Sequence, residues 1–168
     1  MIDPTKAREA KASRARELAM HVVACANFHG IDVEEHTGGG RAVPSQRAIR
    51  IRPVTGMTSY YVALHEIGHL IGRGRAAPKL EREANAWQWA LDNAKFPPTP
   101  GVRRGIERRL RSYLRRHARM ALRRRVRWPE PSHVFWTLAN ATPTWSKGTG
   151  APTRIVLHDY PLETITLA

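Results

Sequence analysis

The segment from Tyr60 to Gly72 constrains this chain most. Tyr60-Tyr61-Val62-Ala63-Leu64 and Leu70-Ile71-Gly72 flank His65-Glu66-Ile67-Gly68-His69, so a run that is apolar nearly all round encloses three chemistry-bearing side chains. A helix of that kind runs through a core rather than along a surface. Residues four apart share a helix face, so His65 and His69 can aim their imidazoles at one metal ion while Glu66 holds an attacking water. After the Thr55-Gly56 turn, Thr58 and Ser59 are the expected N-cap residues, and Gly72 and Gly74 the expected stop.

Two histidines do not complete a catalytic zinc site, which takes three protein ligands and keeps one position for water; two His and one Glu form an established set. The next helix can supply the third ligand. Over residues 79 to 94 the spacing puts Leu80, Ala84, Trp87, Leu91 and Ala94 on one stripe. Packed antiparallel to the first helix, this second one returns its first turn toward the histidines. Glu81 and Glu83 both stand in that turn, where the helix dipole favours acids on structural grounds alone. Of the two, Glu83 can complete the set.

The strand-like alternation of Arg47-Ala48-Ile49-Arg50-Ile51-Arg52-Pro53, the His-Glu-Ile-Gly-His helix and the downstream Glu81-Arg82-Glu83-Ala84-Asn85, followed by Trp87, together resemble the ImmA/IrrE-type zinc metallopeptidases of bacteria and their phages. The resemblance covers roughly residues 15 to 95. It implies that His65, His69 and Glu83 bind Zn2+ and that Glu66 is the general base that activates water for hydrolysis of a protein or peptide substrate, in the gluzincin manner. It further implies limited proteolysis in a bacterial or phage regulatory circuit, and it makes the 47 to 53 segment the edge strand of a small sheet. The chain departs from the family where members commonly continue into Leu-Leu-Met-Pro, reading Trp89-Ala90-Leu91-Asp92-Asn93-Ala94 instead, and its interval from His69 to Glu83 is short. Tyr60, Tyr61, His117, His133 and His158 are all conceivable donors to a tetrahedral oxyanion.

The expected fold is therefore α+β: a mainly helical, zincin-like metallopeptidase core with a small β-sheet over 1–96, a Pro-rich linker at 97–101, and a basic helical extension with short strands over 102–168 packed on the core. The core opens with a helix at 5–29 in which Thr5 is a candidate cap and Leu18, Val22 and Cys25 share a stripe. Cys25 is the single cysteine, which excludes an internal disulfide, and its apolar neighbours Val22, Val23 and Phe28 predict a reduced, buried thiol. In the extension Ser132 is expected to cap a short helix through Ala139, and residues 154–158 and 163–167 to pair as strands across Pro161. The sequence has neither the apolar run of a signal peptide nor ~20 apolar residues for a membrane span. The expected location is the cytoplasm of a bacterial cell or phage-infected host.

Charge is distributed unevenly. Residues 103–127 hold twelve Arg against the single Glu107, a local +11 within a chain total of +14, which leaves +3 for everything else. Val102, Ile106, Leu110, Tyr113, Leu114 and His117 form an apolar seam on the same segment, so the expected helix is amphipathic with an Arg-rich outer face. Arg108, Arg109, Arg115, Arg116 and Arg119 are candidate phosphate contacts, since guanidinium pairs well with nucleic-acid backbone. This supports an alternative reading: a nucleic-acid-binding or phage virion-associated protein whose peptidase fold is vestigial. The overall excess of Arg, 23 against 5 Lys, also fits a high-GC genome.

Overall fold

The protein is α+β. The structure, a computed structural model, describes residues 3–72, 77–145, 148, 150–158 and 163–167. Among them are five helices, α1 (Pro4–Phe28), α2 (Met57–Ile71), α3 (Lys79–Asn93), α4 (Pro100–Ala121) and α5 (Val134–Leu138), and six strands, β1 (Asp32–Glu35), β2 (Arg41–Val43), β3 (Ala48–Ile51), β4 (Ala141–Trp145), β5 (Pro152–Leu157) and β6 (Glu163–Thr166). The chain falls into two compact units, Met1–Gly72 with Trp89–Val102, and Arg73–Gln88 with Arg103–Ala168. The continuous helix α3 contributes residues 89–93 to the first unit and residues 79–88 to the second.

In the first unit, α1 starts one turn's edge earlier than expected. Asp3, not Thr5, is its N-cap: the carboxylate accepts from Thr5 N at 2.9 Å, and Pro4 occupies the first turn, where its missing N–H costs nothing. The buried stripe is Leu18, Val22 and Ala26, spaced by four. Cys25 lies beside it, half-buried, while Val23 and Phe28 are exposed, so the thiol's environment is less apolar than its neighbours in sequence implied. The thiol faces His21 instead, Sγ to Nε2 3.6 Å.

The first sheet has the order β1-β3-β2, with β1 parallel and β2 antiparallel to β3. The 47 to 53 segment is thus not an edge strand. Its strand part, β3, is central, pairing with β1 along one edge and β2 along the other, and Ala48, Ile49 and Ile51 are buried. Arg47 takes a left-handed backbone, φ 49°, and its guanidinium donates to Gly30 O at 3.0 Å and His29 O at 2.7 Å. It thereby satisfies carbonyls left open beyond the end of α1.

Helix α2 is capped differently from the expectation. Gly56 is the N-cap, and Ser59, three residues on, accepts from the N–H groups of Gly56 (3.2 Å) and Thr55 (3.0 Å). Those are donors an isolated helix end would leave unsatisfied. Gly72 ends the helix as expected, though at φ −59° rather than left-handed; Gly74 lies outside the described residues. Tyr60 through Tyr61 and Ala63 through Gly68 are buried, as an all-round apolar helix requires. Tyr60 Oη accepts from Lys95 N at 2.9 Å and lies 2.8 Å from His21 Nδ1, and Tyr61 Oη donates to Phe96 O at 2.7 Å. These bonds tie the chain just beyond α3 to the N-terminal end of α2. Burial and the Lys95 charge hold the His21 imidazole below its ordinary pKa.

In the second unit, α4 buries Ile106, Leu110, Leu114 and His117 of the predicted seam together with Ala118, which the seam did not include, while Tyr113 is half-buried. Arg111 is buried with it and donates to Ala139 O (2.7 Å) and Asn140 O (3.1 Å) while pairing with Glu107 at 2.6 Å. The short helix α5 is capped by His133 rather than Ser132, its Nδ1 accepting from Phe135 N at 3.1 Å. The second sheet has the antiparallel order β4-β5-β6, with Ile155 opposite both Pro143 and Ile165. Strands β5 and β6 pair as expected, and Pro161 between them lies outside the described residues. Strand β4 went unread because its sequence, Ala-Thr-Pro-Thr-Trp, carries a proline; the residue sits in an edge strand, where a lost donor is tolerated.

His117 is buried on α4, packs edge-on against Trp128 with ring centroids 4.7 Å apart, and has Nε2 3.0 Å from Arg127 O. Burial, and secondarily the nearby Arg124, push its pKa below the ordinary histidine value. A lowered folded-state pKa means the neutral imidazole contributes its full stabilisation above the unfolded value near pH 6.5. Below that the unfolded chain takes up the proton first, and stability falls until the folded-state pKa is reached. The melting temperature is therefore expected to drop between pH 7 and pH 5, and to drop less in His117→Gln. Parallel pH profiles for the two proteins would remove His117 as a source of the effect.

Candidate metal centre

The site starts from α2. The i, i+4 spacing of His65 and His69 sets their Nε2 atoms 3.0 Å apart, with ring centroids 4.4 Å apart. His65 is 4% exposed and Glu66 6% exposed, so both sit at the buried part of the helix. Two nitrogens bound tetrahedrally at about 2.05 Å from one ion lie about 3.3 Å apart. A few tenths of an ångström of spreading would bring these two to that spacing.

Helix α3 brings the carboxylate. Phe96 O accepts from Tyr61 Oη and Lys95 N donates to Tyr60 Oη, which sets the chain just after α3 against the N-terminal end of α2. One ligand atom each from His65, His69 and Glu83 lies within 4.8 Å of the other two, and together they could hold a metal ion. It is the one such group of three or more His, Cys, Asp or Glu among the described residues. Glu81, the alternative third ligand, does not belong to it; its charge acts on His133.

Glu66 has a neighbour that no local motif singles out. A Cβ built on Gly40, just before β2, would lie 2.8 Å from Val62 Cγ1, 3.1 Å from Glu66 Oε1 and 3.2 Å from Glu66 Cγ. Only glycine lets this backbone lie so close to the carboxylate without displacing it. The run Gly38-Gly39-Gly40, read as a loop, thus includes one residue that packs on the site.

The five conceivable oxyanion donors all have other engagements. Tyr60 and Tyr61 hold the segment after α3, His117 lies 3.0 Å from Arg127 O, His133 caps α5, and His158 Nε2 lies 2.7 Å from Thr142 Oγ1. Among the five candidate phosphate contacts, Arg108, Arg109, Arg116 and Arg119 are exposed on α4 and Arg115 is half-buried. Arg109 sits over the Trp87 ring at 5.8 Å, and Arg115 pairs with Glu163, whose carboxyl it holds below the usual range. No described helix is long and apolar enough to cross a membrane.

No family model, curated protein or solved structure matches this chain.

Proposed function

We propose that the chain is a zinc-dependent metallopeptidase with a zincin-like, gluzincin-type site, related to the ImmA/IrrE-type enzymes its motifs resemble. The observation that carries this reading is the convergence of His65, His69 and Glu83 from two helices, with Glu66 between the histidines. Two imidazoles and one carboxylate suit zinc, and three protein ligands leave a coordination position for chemistry. Bound zinc supplies a Lewis acid that polarises the scissile carbonyl and lowers the pKa of water toward ~7. Glu66 accepts the proton of the attacking water and delivers it to the leaving amine. The close backbone of Gly40 holds the Glu66 carboxylate in place for that transfer, and the apolar wall of α2 excludes bulk water around it. The substrate is a protein or peptide, and a regulatory role in a bacterial or phage-infected cell follows from the resemblance.

The test separates the two acids. Glu66→Gln is expected to retain zinc and lose hydrolysis by roughly 10²–10⁴-fold, since the amide cannot accept the proton, while Glu83→Gln loses zinc itself. Gly40→Ala leaves every donor in place and is expected to lower turnover with the metal retained. Zinc content by elemental analysis and cleavage of a peptide library, measured on the same preparations, decide the outcome. A Glu66→Gln protein with undiminished hydrolysis removes the general base from the scheme, and zinc loss in Glu81→Gln but not Glu83→Gln reassigns the third ligand.

A further inference from the structure

We infer that the exposed face of α4 is a binding surface for the phosphate backbone of a double-stranded nucleic acid, a function separate from the candidate metal centre. The face is built from Arg104, Arg108, Arg116 and Arg119, all exposed, and Arg103, Arg123, Arg124, Arg125 and Arg127 continue the positive charge at its two ends. From Arg104 to Arg119 is about 22 Å of helix at 1.5 Å per residue. Among the described residues, no acid forms an ion pair with Arg104, Arg108, Arg116 or Arg119. The segment's own Glu107 is taken by buried Arg111, and Glu163 by Arg115. A shallow hollow of about 480 Å³ is lined by Arg116, Arg119, Met120 and Arg123, three guanidiniums around a space open to an anion.

Such a face costs the helix stability. Arg104 with Arg108, and Arg115 with Arg119, are like charges four apart, each pair destabilising by about 0.2–0.5 kcal/mol. An ordinary solvated helix face interleaves acids, as α1 does with Glu9 and Glu17 among its Lys and Arg. Composition bias alone would have spread arginine over the chain, whereas all but +3 of the net charge lies here.

The partner's class follows from what else the face has and lacks. Membrane insertion needs an apolar helix face, and that of α4 is already buried through Ile106, Leu110, Leu114 and Ala118. Single strands are gripped by aromatic side chains on which bases stack, and the stripe from Arg104 to Arg119 carries no exposed Phe, Tyr or Trp. Guanidinium forks without stacking rings suit a regular duplex, contacted through phosphates with little reading of bases.

The experiment is fluorescence anisotropy of the full chain with a 20-base-pair DNA duplex, an RNA duplex of the same sequence, a single strand and poly-glutamate, each titrated at about 50 and 200 mM salt. Duplex binding is expected to weaken steeply with salt. Replacing Arg104, Arg108, Arg116 and Arg119 by Gln is expected to reduce the log–log slope by about 0.9 per lost contact, so by as much as ~3.6. The double variants R104Q/R108Q and R116Q/R119Q should each give about half of that, which keeps the test valid if the fourfold variant folds poorly. Removing four charges from α1 instead, as K6Q/R8Q/K11Q/R16Q, is expected to leave most of the slope. Preference between the DNA and RNA arms identifies the source of the duplex. Absence of duplex binding at low salt, poly-glutamate or single strand binding as tightly as duplex, or equal losses in the α1 and α4 variants would each overturn the proposal.

Discussion

Purified protein is expected to hold about one zinc ion per chain at neutral pH, and His65→Ala or His69→Ala to abolish that occupancy. The expectation rests on donor count. Zinc sites bind with apparent free energies of about 10–16 kcal/mol over four ligands, so deleting one imidazole removes on the order of 3–4 kcal/mol, a loss of several hundredfold or more. The neighbouring nitrogen, 3.0 Å away, cannot compensate, because it already serves as the second ligand. Elemental analysis after dialysis, followed by competition against a chelator of known affinity, measures both stoichiometry and loss. Full occupancy in the His65→Ala/His69→Ala double variant would mean that the metal sits elsewhere and would end the peptidase reading. Chelation of the wild-type protein should also lower its melting temperature, since an ion bound by α2 and α3 in the folded state has no preformed site in the unfolded chain.

Arg111→Ala is expected to cost about 3–5 kcal/mol of stability, the largest effect of any substitution remote from the metal centre. The guanidinium is 2% exposed and serves three acceptors at once, the carbonyls of Ala139 and Asn140 and the carboxylate of Glu107. Truncation leaves the buried Ala139 carbonyl without this donor and Glu107 without its cation, and removes the volume of a buried side chain, while Asn140 O keeps its bond from His158 N. Asn140 already holds a left-handed backbone, φ 48°, at the entry to β4, and Arg111 helps fix that turn. Urea denaturation compares Arg111→Ala with Arg111→Met, which refills the volume but not the hydrogen bonds. If Met restored the wild-type midpoint, packing rather than the hydrogen bonds would be the cause. Exposed arginines of the same helix, Arg108 or Arg116, should cost no more than about 0.5 kcal/mol when changed to Gln.

Arg111 also illustrates where sequence reading stops. Along α4 the apolar seam predicted the buried face correctly at Ile106, Leu110 and Leu114, since burial at helical spacing follows from local pattern. The i, i+4 pair with Glu107 is one that exposed helix faces also make, so it does not distinguish Arg111, and the carbonyls that bury it lie 28 and 29 residues away. The caps failed for a related reason. Thr5, Thr58, Ser59 and Ser132 all have suitable side chains, but which one caps depends on where backbone dihedrals change, and Asp3, Gly56 and His133 took those positions.

The small sheet shows the same division. Alternation identified β3, yet its central rank came from pairing with β1 and β2, two short strands of mostly exposed residues with little periodic signal. By itself the sequence determined that α2 is buried and that His65 and His69 meet on one face of it, because a 3.6-residue period fixes which side chains meet on one helix. The tertiary structure decided that Glu83 rather than Glu81 lies beside them, that Gly40 lies against Glu66, and which arginines of α4 are exposed. Each depends on contacts between segments distant in sequence, and such contacts are set by how helices and strands pack together rather than by the period of any one of them.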